Sequence, residues 1–141
     1  MMDVTHIPFA KHIGIEKKEE GILKLEPTDT VQNHIQSIHA SAQFALAETQ
    51  SGLYLQEAFP ELVGKVVALL RGATVKYKNP ATKTIYATAK MHKDEKILFL
   101  QRFAKKERMT VTVNVELRDS DDTRIMIGDF HWYIAKKKSS Q

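Results

Sequence analysis

The sequence predicts an α+β fold in which one antiparallel β-sheet wraps around a single long α-helix. Two features of the chain lead to this prediction. The segment from about 39 to 59 consists almost entirely of good or neutral helix formers, and no proline interrupts it before Pro60. Several later segments alternate apolar and polar residues with the period of a β-strand. A helix that is apolar on most sides needs cover on most sides, which a curled sheet provides.

The length and composition fit one domain that spans residues 1–141. With 141 residues and 43% apolar content, the chain can bury a substantial core. The formal net charge is +4. Part of that excess lies in the basic end, 136–141, which we expect to be a flexible tail.

The residues that the chain lacks disfavour several classes of protein. It contains no cysteine, so disulfides and thiolate metal sites are excluded. The N-terminal segment lacks the apolar stretch of a signal peptide, and no run approaches the roughly 18 apolar residues of a membrane span. No histidine pair has helical metal-ligand spacing with an acid. We therefore expect a cytoplasmic protein with no metal, no cofactor and no membrane partner.

Before the long helix, the sequence predicts a short helix, a hairpin and a loop. Pro8 suits the first turn of a helix that Gly14 would end. From 13 to 27 the apolar residues alternate around a Glu-Gly turn until Pro27 ends the segment, which predicts a first strand or hairpin. The segment 28–38 has neither period and is predicted to be an ordered loop.

After the long helix, the first two strands are predicted to pair as a β-hairpin. The segment 65–78, KVVALLRGATVKYK, is rich in β-branched and apolar residues, and 84–91, TIYATAKM, alternates again. The NPATK segment between them has the chemistry of a turn.

The remaining third of the chain is predicted to add two more strands. The segment 92–107 allows either a short helix behind an Asp94 cap or a bent strand. Residues 108–119 alternate strictly, an SDD turn follows, and 123–137 returns as the last strand. A first strand or hairpin, one long helix and at least four antiparallel strands together describe the hotdog fold.

With these elements in place, the chain resembles the hotdog-fold acyl-CoA thioesterases, specifically the phenylacetate-degradation (PaaI-like) group and its uncharacterised relatives. In that group a loop Asn is followed six residues later by His and then by a small residue, and an acid lies on the central helix about fifteen residues after the Asn. Asn33, His39, Ala40 and Glu48 keep this spacing. The similarity extends over PFAKHIGI (8–15), NHIQSIHASAQFALAETQSG (33–52), VKYKNPA (75–81) and GDFHWYI (128–134).

The chain departs from the better-studied members at two points. They carry His-Gly-Gly at the start of the helix, where this chain has His39, Ala40 and Ser41. Their acid is often Asp, so Glu48 would carry its carboxylate about one methylene further out. An alanine still offers a backbone N–H, so the second departure bears more on the chemistry than the first.

The resemblance implies a catalytic role for each of the four matched residues. Ala40 N–H would stabilise the oxyanion, because a first-turn N–H has no intrahelical partner and lies at the positive end of the helix dipole. Glu48, with a pKa raised by burial, would act as general base or nucleophile. Asn33 would orient the water or the carboxylate, and His39 would hold the loop or contact the carbonyl.

Each of these residues also has a structural interpretation. A glutamate in mid-helix is most often solvated, and a loop asparagine most often makes local backbone bonds, which applies to Asn33. His39 could simply satisfy a neighbouring backbone group at the helix start. The other histidines singled out are expected to be structural or exposed: His12, His34 and His131.

Two further groups are predicted to bind the substrate. Ser41, Phe44, Gly52 and Leu55 share a helix face with Glu48, and the apolar members would line the acyl chain. Exposed basic side chains would attract the phosphates of coenzyme A, although a solvated surface is the alternative for each. These basic residues are Arg71, Lys76, Lys78, Arg102 and Arg108.

Three functions are compatible with these observations. The first is an acyl-CoA thioesterase, in which coenzyme A enters as part of the substrate; the family resemblance then implies a homodimer or a dimer of dimers. The second is a non-catalytic hotdog module that binds acyl-CoA or another acyl ligand. The third, a nucleic-acid-binding sheet, is disfavoured because aromatics make up only 8% of the residues and acids interrupt the basic ones.

Overall fold

The structure is a computed structural model that describes residues 1–138. Three α-helices and six β-strands account for most of this part of the chain. In order they are α1 (Pro8–Ile13), β1 (Glu16–Glu19), β2 (Ile22–Leu25), α2 (Ala40–Ala58), β3 (Val66–Tyr77), β4 (Ile85–Lys90), α3 (Lys93–Lys106), β5 (Arg108–Asp119) and β6 (Arg124–Lys136). Single 3₁₀ turns lie at Val4–His6, Asp29–Val31 and Pro60–Leu62.

The elements predicted for the N-terminal third are confirmed. Pro8 is the first residue of α1, and Gly14 ends that helix in the left-handed region, at φ 87°. The strands β1 and β2 form a hairpin around Gly21, which also has positive φ. The predicted loop contains the 3₁₀ turn Asp29–Val31 and one isolated bridge between Gln32 and Ile38.

The long helix is confirmed at both ends. It begins at Ala40, where His39 provides the N-cap, and ends at Ala58, two residues before Pro60. It packs against β2, β4, β5 and β6, so the sheet covers it as the hotdog fold requires.

The strand order corrects one prediction. The sheet runs β1-β2-β4-β5-β6-β3, with all neighbours antiparallel. The predicted β3–β4 hairpin is therefore wrong, because β3 pairs with β6 at one edge and β4 pairs with β2 and β5.

The segment between β3 and β4 is a crossover, not a turn. Ala81 in that segment is fully buried, and its carbonyl accepts a hydrogen bond of 2.8 Å from Ile38 N–H. The Asn79-Pro80 pair starts such a crossover as readily as a hairpin, because turn residues specify a local bend and not the next strand partner.

Of the two alternatives for 92–107, the helix is confirmed and the bent strand is wrong. The predicted Asp94 cap is also wrong, because the cap is His92, whose Nδ1 accepts from Asp94 N–H. The helix buries Phe99 and Phe103, whereas Ile97 and Leu100 are exposed. Phe99 packs on Phe59 at the end of α2, with ring centroids 4.7 Å apart.

The C-terminal boundary lies later than the predicted tail. Lys136 is the last residue of β6, and its N–H donates to the Glu107 carbonyl. Lys137 N–H donates to the Lys65 carbonyl, so the chain is held to this point. The rest of the predicted tail, 139–141, lies outside the described residues. Across residues 1–138, no helix is both long and apolar enough to cross a bilayer.

Candidate active site

The start of α2 leaves one backbone donor available. His39 Nδ1 accepts a 3.0 Å hydrogen bond from Ser41 N–H. Ala40 is the first residue of the helix, and its N–H has no hydrogen-bond acceptor within residues 1–138. Ala40 is exposed, so a ligand oxygen can reach this N–H at the positive end of the helix dipole.

The capping bond also defines the tautomer of His39. Because Nδ1 accepts from Ser41 N–H, the neutral ring carries its proton on Nε2. His39 is exposed, so this Nε2–H can donate to a ligand at the same helix end. The structural role and the predicted contact with a carbonyl therefore use different nitrogens.

Tyr77, which the sequence analysis missed, connects the end of β3 to this helix start. Its hydroxyl donates to the Ala40 carbonyl over 3.2 Å. Burial raises the pKa of Tyr77, which keeps the phenol protonated as a donor. Nothing in the VKYK stretch distinguishes this tyrosine from an ordinary strand residue, because the contact depends on where β3 ends in the fold.

Asn33 organises the loop before the helix. Its Oδ1 accepts from Ile35 N–H and Ser37 N–H, and its Nδ2 donates to Ser37 Oγ. These bonds match the local-turn interpretation of Asn33. Asn33, Ala40 and Lys78 nevertheless line the same surface hollow, together with Tyr77.

Glu48 lies on the α2 face that covers β6. One turn before it, Phe44 packs on Phe130 with ring centroids 5.3 Å apart. One turn after it, Gly52 lies against the indole of Trp132. The Glu48 side chain is half-buried, and this burial raises the pKa of its carboxyl.

No hydrogen bond or ion pair within residues 1–138 stabilises the Glu48 carboxylate. A solvated carboxylate would be more exposed, and a structural one would have a partner. Its pKa shift has burial as the cause, with no nearby charge contributing. The protein therefore holds an unpaired carboxylate in a partly apolar setting.

A pair of hydrogen bonds links α2 to β6 next to Glu48. Trp132 Nε1–H donates to Ser51 Oγ over 2.8 Å, and Ser51 Oγ donates to the Glu48 carbonyl over 2.6 Å. These bonds hold the helix backbone at Glu48 over the sheet. Neither residue was predicted from the sequence, although a serine three residues after the acid is a signal for a side-chain bond to the helix backbone.

Ala40 and Glu48 of one chain are well separated. Eight residues of α-helix span about 12 Å along the axis, and 100° per residue turns the two positions roughly 80° apart. A direct attack would need the carboxylate about 3 Å from a carbonyl whose oxygen lies about 3 Å from the N–H. Within one chain, Ala40 N–H and the Glu48 carboxylate are therefore too far apart for a direct attack on one thioester.

The predicted apolar wall is partly assembled. Phe44, Gly52 and Leu55 all lie on the sheet side of α2, and Leu55 is buried. Ser41 is exposed at the first turn. Gly52 and Leu55 also border a small apolar cavity beside Phe59 and Phe99.

The five predicted basic residues are not brought together within one chain. The Arg71 guanidinium lies 3.9 Å from the centroid of the Tyr133 ring. Neighbouring residues of a strand point to opposite faces, and Trp132 points to α2, so Tyr133 and Arg71 lie on the sheet face opposite the helix. Lys76 also points away, since Tyr77 points to α2. Arg102 on α3 and Arg108 at the start of β5 are exposed, and only Lys78 borders the hollow at Ala40.

The three other histidines that the sequence singled out are exposed or structural, as predicted. His12 and His34 are exposed, and the ring of His131 bonds Thr112 Oγ1 at 2.9 Å. Within residues 1–138, no three His, Asp or Glu side chains are placed to hold a metal ion.

The fold and this arrangement define the class of protein as a hotdog-fold domain. A family model described as a domain of unknown function, DUF4442, matches residues 11–134. The chain therefore belongs to the DUF4442 family. No functionally curated protein matches the sequence.

Solved structures share the fold at low sequence identity. A Pseudomonas aeruginosa protein described as a probable thioesterase has 19% identity, a TM-score of 0.79, and 95% and 91% of the two chains covered. A Bacillus halodurans protein solved with CoA has 16% identity and a TM-score of 0.69, with 89% of this chain and 74% of that chain covered. A Staphylococcus aureus thioesterase, solved as a Gln-to-Ala mutant, has 19% identity, a TM-score of 0.67, and 91% and 98% coverage.

These likenesses confirm the resemblance to hotdog-fold thioesterases and their relatives at the level of the fold. They place no substrate and no catalytic residue in this chain, because identities below 20% leave the site residues untested.

Proposed function

We propose that this protein is an acyl-CoA thioesterase whose base or nucleophile is Glu48. The observation that carries the proposal is an unpaired, half-buried carboxylate, with a raised pKa, on a helix face that continues into an apolar cavity. A catalytic base benefits from a pKa raised toward the operating pH, whereas a structural acid would gain from a partner. The CoA bound in the Bacillus halodurans structure and the thioesterases among the other neighbours support the choice of substrate.

The general-base form of the reaction assigns one step to each group. Glu48 accepts a proton from water as the water oxygen bonds to the thioester carbon. Ala40 N–H donates to the developing oxyanion, assisted by His39 Nε2–H. The oxyanion then collapses, the C–S bond breaks, and the thiolate of coenzyme A takes the proton from Glu48, which leaves the free acid and the thiol.

A second copy of the chain would complete this site. The separation of Ala40 and Glu48 along α2 favours a homodimer in which two α2 helices run antiparallel, so that Ala40 of one chain faces Glu48 of the other. The cytoplasmic location and a further pairing into tetramers belong to the same proposal.

The edge strand β3 supports that dimer. It is 12 residues long and pairs only with β6, so one row of its backbone groups has no strand partner within residues 1–138. Val67 and Leu69 on this strand are 43% and 53% exposed. A long, apolar, uncovered edge is a surface that a second copy can cover.

The test of the function is thiol release from a panel of acyl-CoAs by wild type and Glu48→Gln. We expect the substitution to lower kcat by about 10²- to 10⁴-fold, because glutamine cannot accept the proton. The matched control is Glu57→Gln, the same change at an exposed position of the same helix, which should keep wild-type turnover.

Two results would contradict the proposal. Undiminished turnover in Glu48→Gln would remove the carboxylate from the mechanism. No turnover on any acyl-CoA, with equal acyl-CoA binding by both proteins, would favour the non-catalytic acyl-binding module.

Mixing two inactive variants tests the dimer. Glu48→Gln lacks the base and Ala40→Pro lacks the N–H, so a mixed dimer has one intact site if each site draws on both chains. After co-refolding we expect about a quarter of wild-type activity, since half of the dimers are mixed and each has one good site. A mixture as inactive as its parents would place both groups in one chain.

A further inference from the structure

The hollow beside the start of α2 contains a buried acceptor that has no partner. Gln43 lines this hollow and is 5% exposed. Its Nε2 donates to the Ile38 carbonyl over 2.9 Å, whereas its Oε1 has no hydrogen-bond partner within residues 1–138. A buried acceptor that has lost water and gained no donor destabilises the fold, so such a group indicates that a donor arrives from outside the chain.

The neighbouring hydrogen bonds define which end of the Gln43 amide is unpaired. Ile38 N–H donates to the Ala81 carbonyl over 2.8 Å, which ties the loop to the segment between β3 and β4. The Ile38 carbonyl can only accept, so the end of the amide that faces it is the NH₂ group. The unpaired atom is therefore the amide oxygen, which needs a donor.

Ala40 N–H and Gln43 Oε1 offer the two opposite kinds of hydrogen bond at one end of α2. The two residues lie about 4.5 Å apart along the axis and roughly 60° apart around it. The Gln43 side chain reaches back to Ile38, two residues before Ala40, so its amide lies beside the first turn of the helix. The last torsion of a glutamine is broad, so a small rotation can turn Oε1 toward a ligand in the hollow.

The hollow has room for a segment of a ligand. Its volume is about 270 Å³, whereas one water occupies roughly 30 Å³ in the liquid. Ile35 and Pro80 give it apolar walls, Asn33 and Tyr77 add polar groups, and the exposed Lys78 lies at its border. Mixed walls with a cation at the border suit the arm of coenzyme A, in which methylenes alternate with amides and the far end carries phosphates.

We infer that this hollow binds the pantetheine arm of the substrate, and that Gln43 Oε1 accepts from the amide N–H nearest the thioester sulfur. The inference rests on the proposed thioesterase function, since it takes the thioester oxygen to lie at Ala40 N–H. Two methylenes separate the sulfur from that amide N–H, a span comparable with the one helical turn between Ala40 and Gln43. Gln43 then recognises the arm and takes no part in breaking the C–S bond.

The experiment compares thiol release from two truncated thioesters that carry the same acyl group. One is the N-acetylcysteamine thioester, which keeps the amide N–H, and the other is its ester analogue, in which oxygen replaces the NH. Wild type should have about tenfold higher kcat/KM for the amide compound, the effect of one hydrogen bond to an acceptor that has already lost its water. Gln43→Met keeps the length of the side chain but removes the amide oxygen, so this ratio should fall to about one.

The matched control is Gln101→Met, the same substitution at an exposed glutamine of α3, which should keep the tenfold ratio. If Gln43 only holds Ile38 in place, Gln43→Met lowers both rates together and leaves their ratio unchanged. An unchanged ratio in Gln43→Met would therefore overturn the inference. If Gln43→Met does not fold by thermal melting, Gln43→Leu carries the same comparison.

The outcomes separate this inference from the proposed function. Wild type that hydrolyses the amide and ester compounds equally well overturns the role of Gln43 without any variant and leaves the thioesterase intact. If wild type hydrolyses neither compound and no acyl-CoA, the thioesterase fails, and calorimetry then compares the affinities of the two compounds. Equal affinities there overturn the binding of the arm in this hollow.

Discussion

The two faces of α2 differ in how completely the chain covers them. On the face toward β2, Leu46 and Ala47 are fully buried, and Gln50 is 1% exposed. The Gln50 amide accepts from Leu23 N–H and donates to the Gly21 carbonyl. Gln43, two turns earlier on this face, donates to the Ile38 carbonyl, and its Oε1 has no partner within residues 1–138. On the face toward β6 and the free edge of β3, Phe44 and Glu48 are only half-buried, and Glu48 has no partner among the described residues.

This difference indicates that one face of α2 stabilises the fold and the other is available to a ligand. The covered face contributes burial and the hydrogen bonds of Gln50, which stabilise the fold. The open face has an unpaired acid beside an apolar cavity. This arrangement lowers the stability of the fold and is better suited to binding a ligand. Substitutions on the two faces should therefore separate stability from activity.

After Glu48→Gln, the largest effect on activity without loss of the fold is expected for Ala40→Pro. Proline suits the first helical position and removes only the N–H. The residue before it must be extended, and His39 already is, at φ −57° and ψ 141°. We expect kcat to fall about 10²- to 10³-fold, the cost of one oxyanion donor, with Tm close to wild type.

Ala40→Gly is the control for that variant, because it keeps the N–H and should retain most of the activity. Steady-state thiol release measures kcat, and thermal melting measures Tm, for both variants. Full activity in Ala40→Pro would exclude this N–H as the oxyanion donor.

On the covered face, Leu46→Ala should have the largest effect on stability. Deleting a fully buried leucine side chain costs about 3 kcal/mol, from lost transfer energy and the cavity left behind. Urea unfolding at constant pH measures this loss in the free energy of unfolding. Leu100→Ala, at a position 46% exposed, should cost less than about 0.5 kcal/mol, and equal losses at the two positions would contradict the contrast between covered and open surfaces.

The smallest effect is a pH-dependent gain of stability in Glu48→Gln. Burial raises the pKa of Glu48 in the folded protein above its ordinary 4.5, so the folded state holds the proton more tightly than the unfolded state. Stability therefore falls as pH rises from below the unfolded pKa through the folded pKa, and the full penalty persists above both. Glutamine does not ionise, so Glu48→Gln removes this penalty and raises the free energy of unfolding by roughly 0.5 kcal/mol at neutral pH. The gain is small because solvent screens a half-exposed carboxylate.

Urea unfolding at pH 4 and pH 8 checks that prediction. The advantage of Glu48→Gln should be present at pH 8 and should shrink at pH 4. In the wild type, activity should rise with pH through the Glu48 pKa because the base must be deprotonated. An advantage independent of pH would mean that ionisation of Glu48 is not its cause.

Much of the fold was predictable because it depends on local patterns. The α2 helix follows from its long run of helix formers, α1 from Pro8 and Gly14, and the β5–β6 hairpin from strict alternation around a short turn. The order of β3 and β4 was not predictable, since both strands alternate and no local feature names their partners.

The sequence by itself determined the long helix, most strands and the spacing of Asn33, His39, Ala40 and Glu48, because periodicity, capping and turn chemistry act within a few residues along the chain. Only the tertiary structure decided that Tyr77 reaches Ala40, that Trp132 bonds Ser51 beside Glu48, and that Phe99 lines a cavity with residues of α2, β3 and β6. The two hydrogen bonds join residues 37 and 81 positions apart, and their geometry depends on how the sheet curls around α2, which no local pattern encodes.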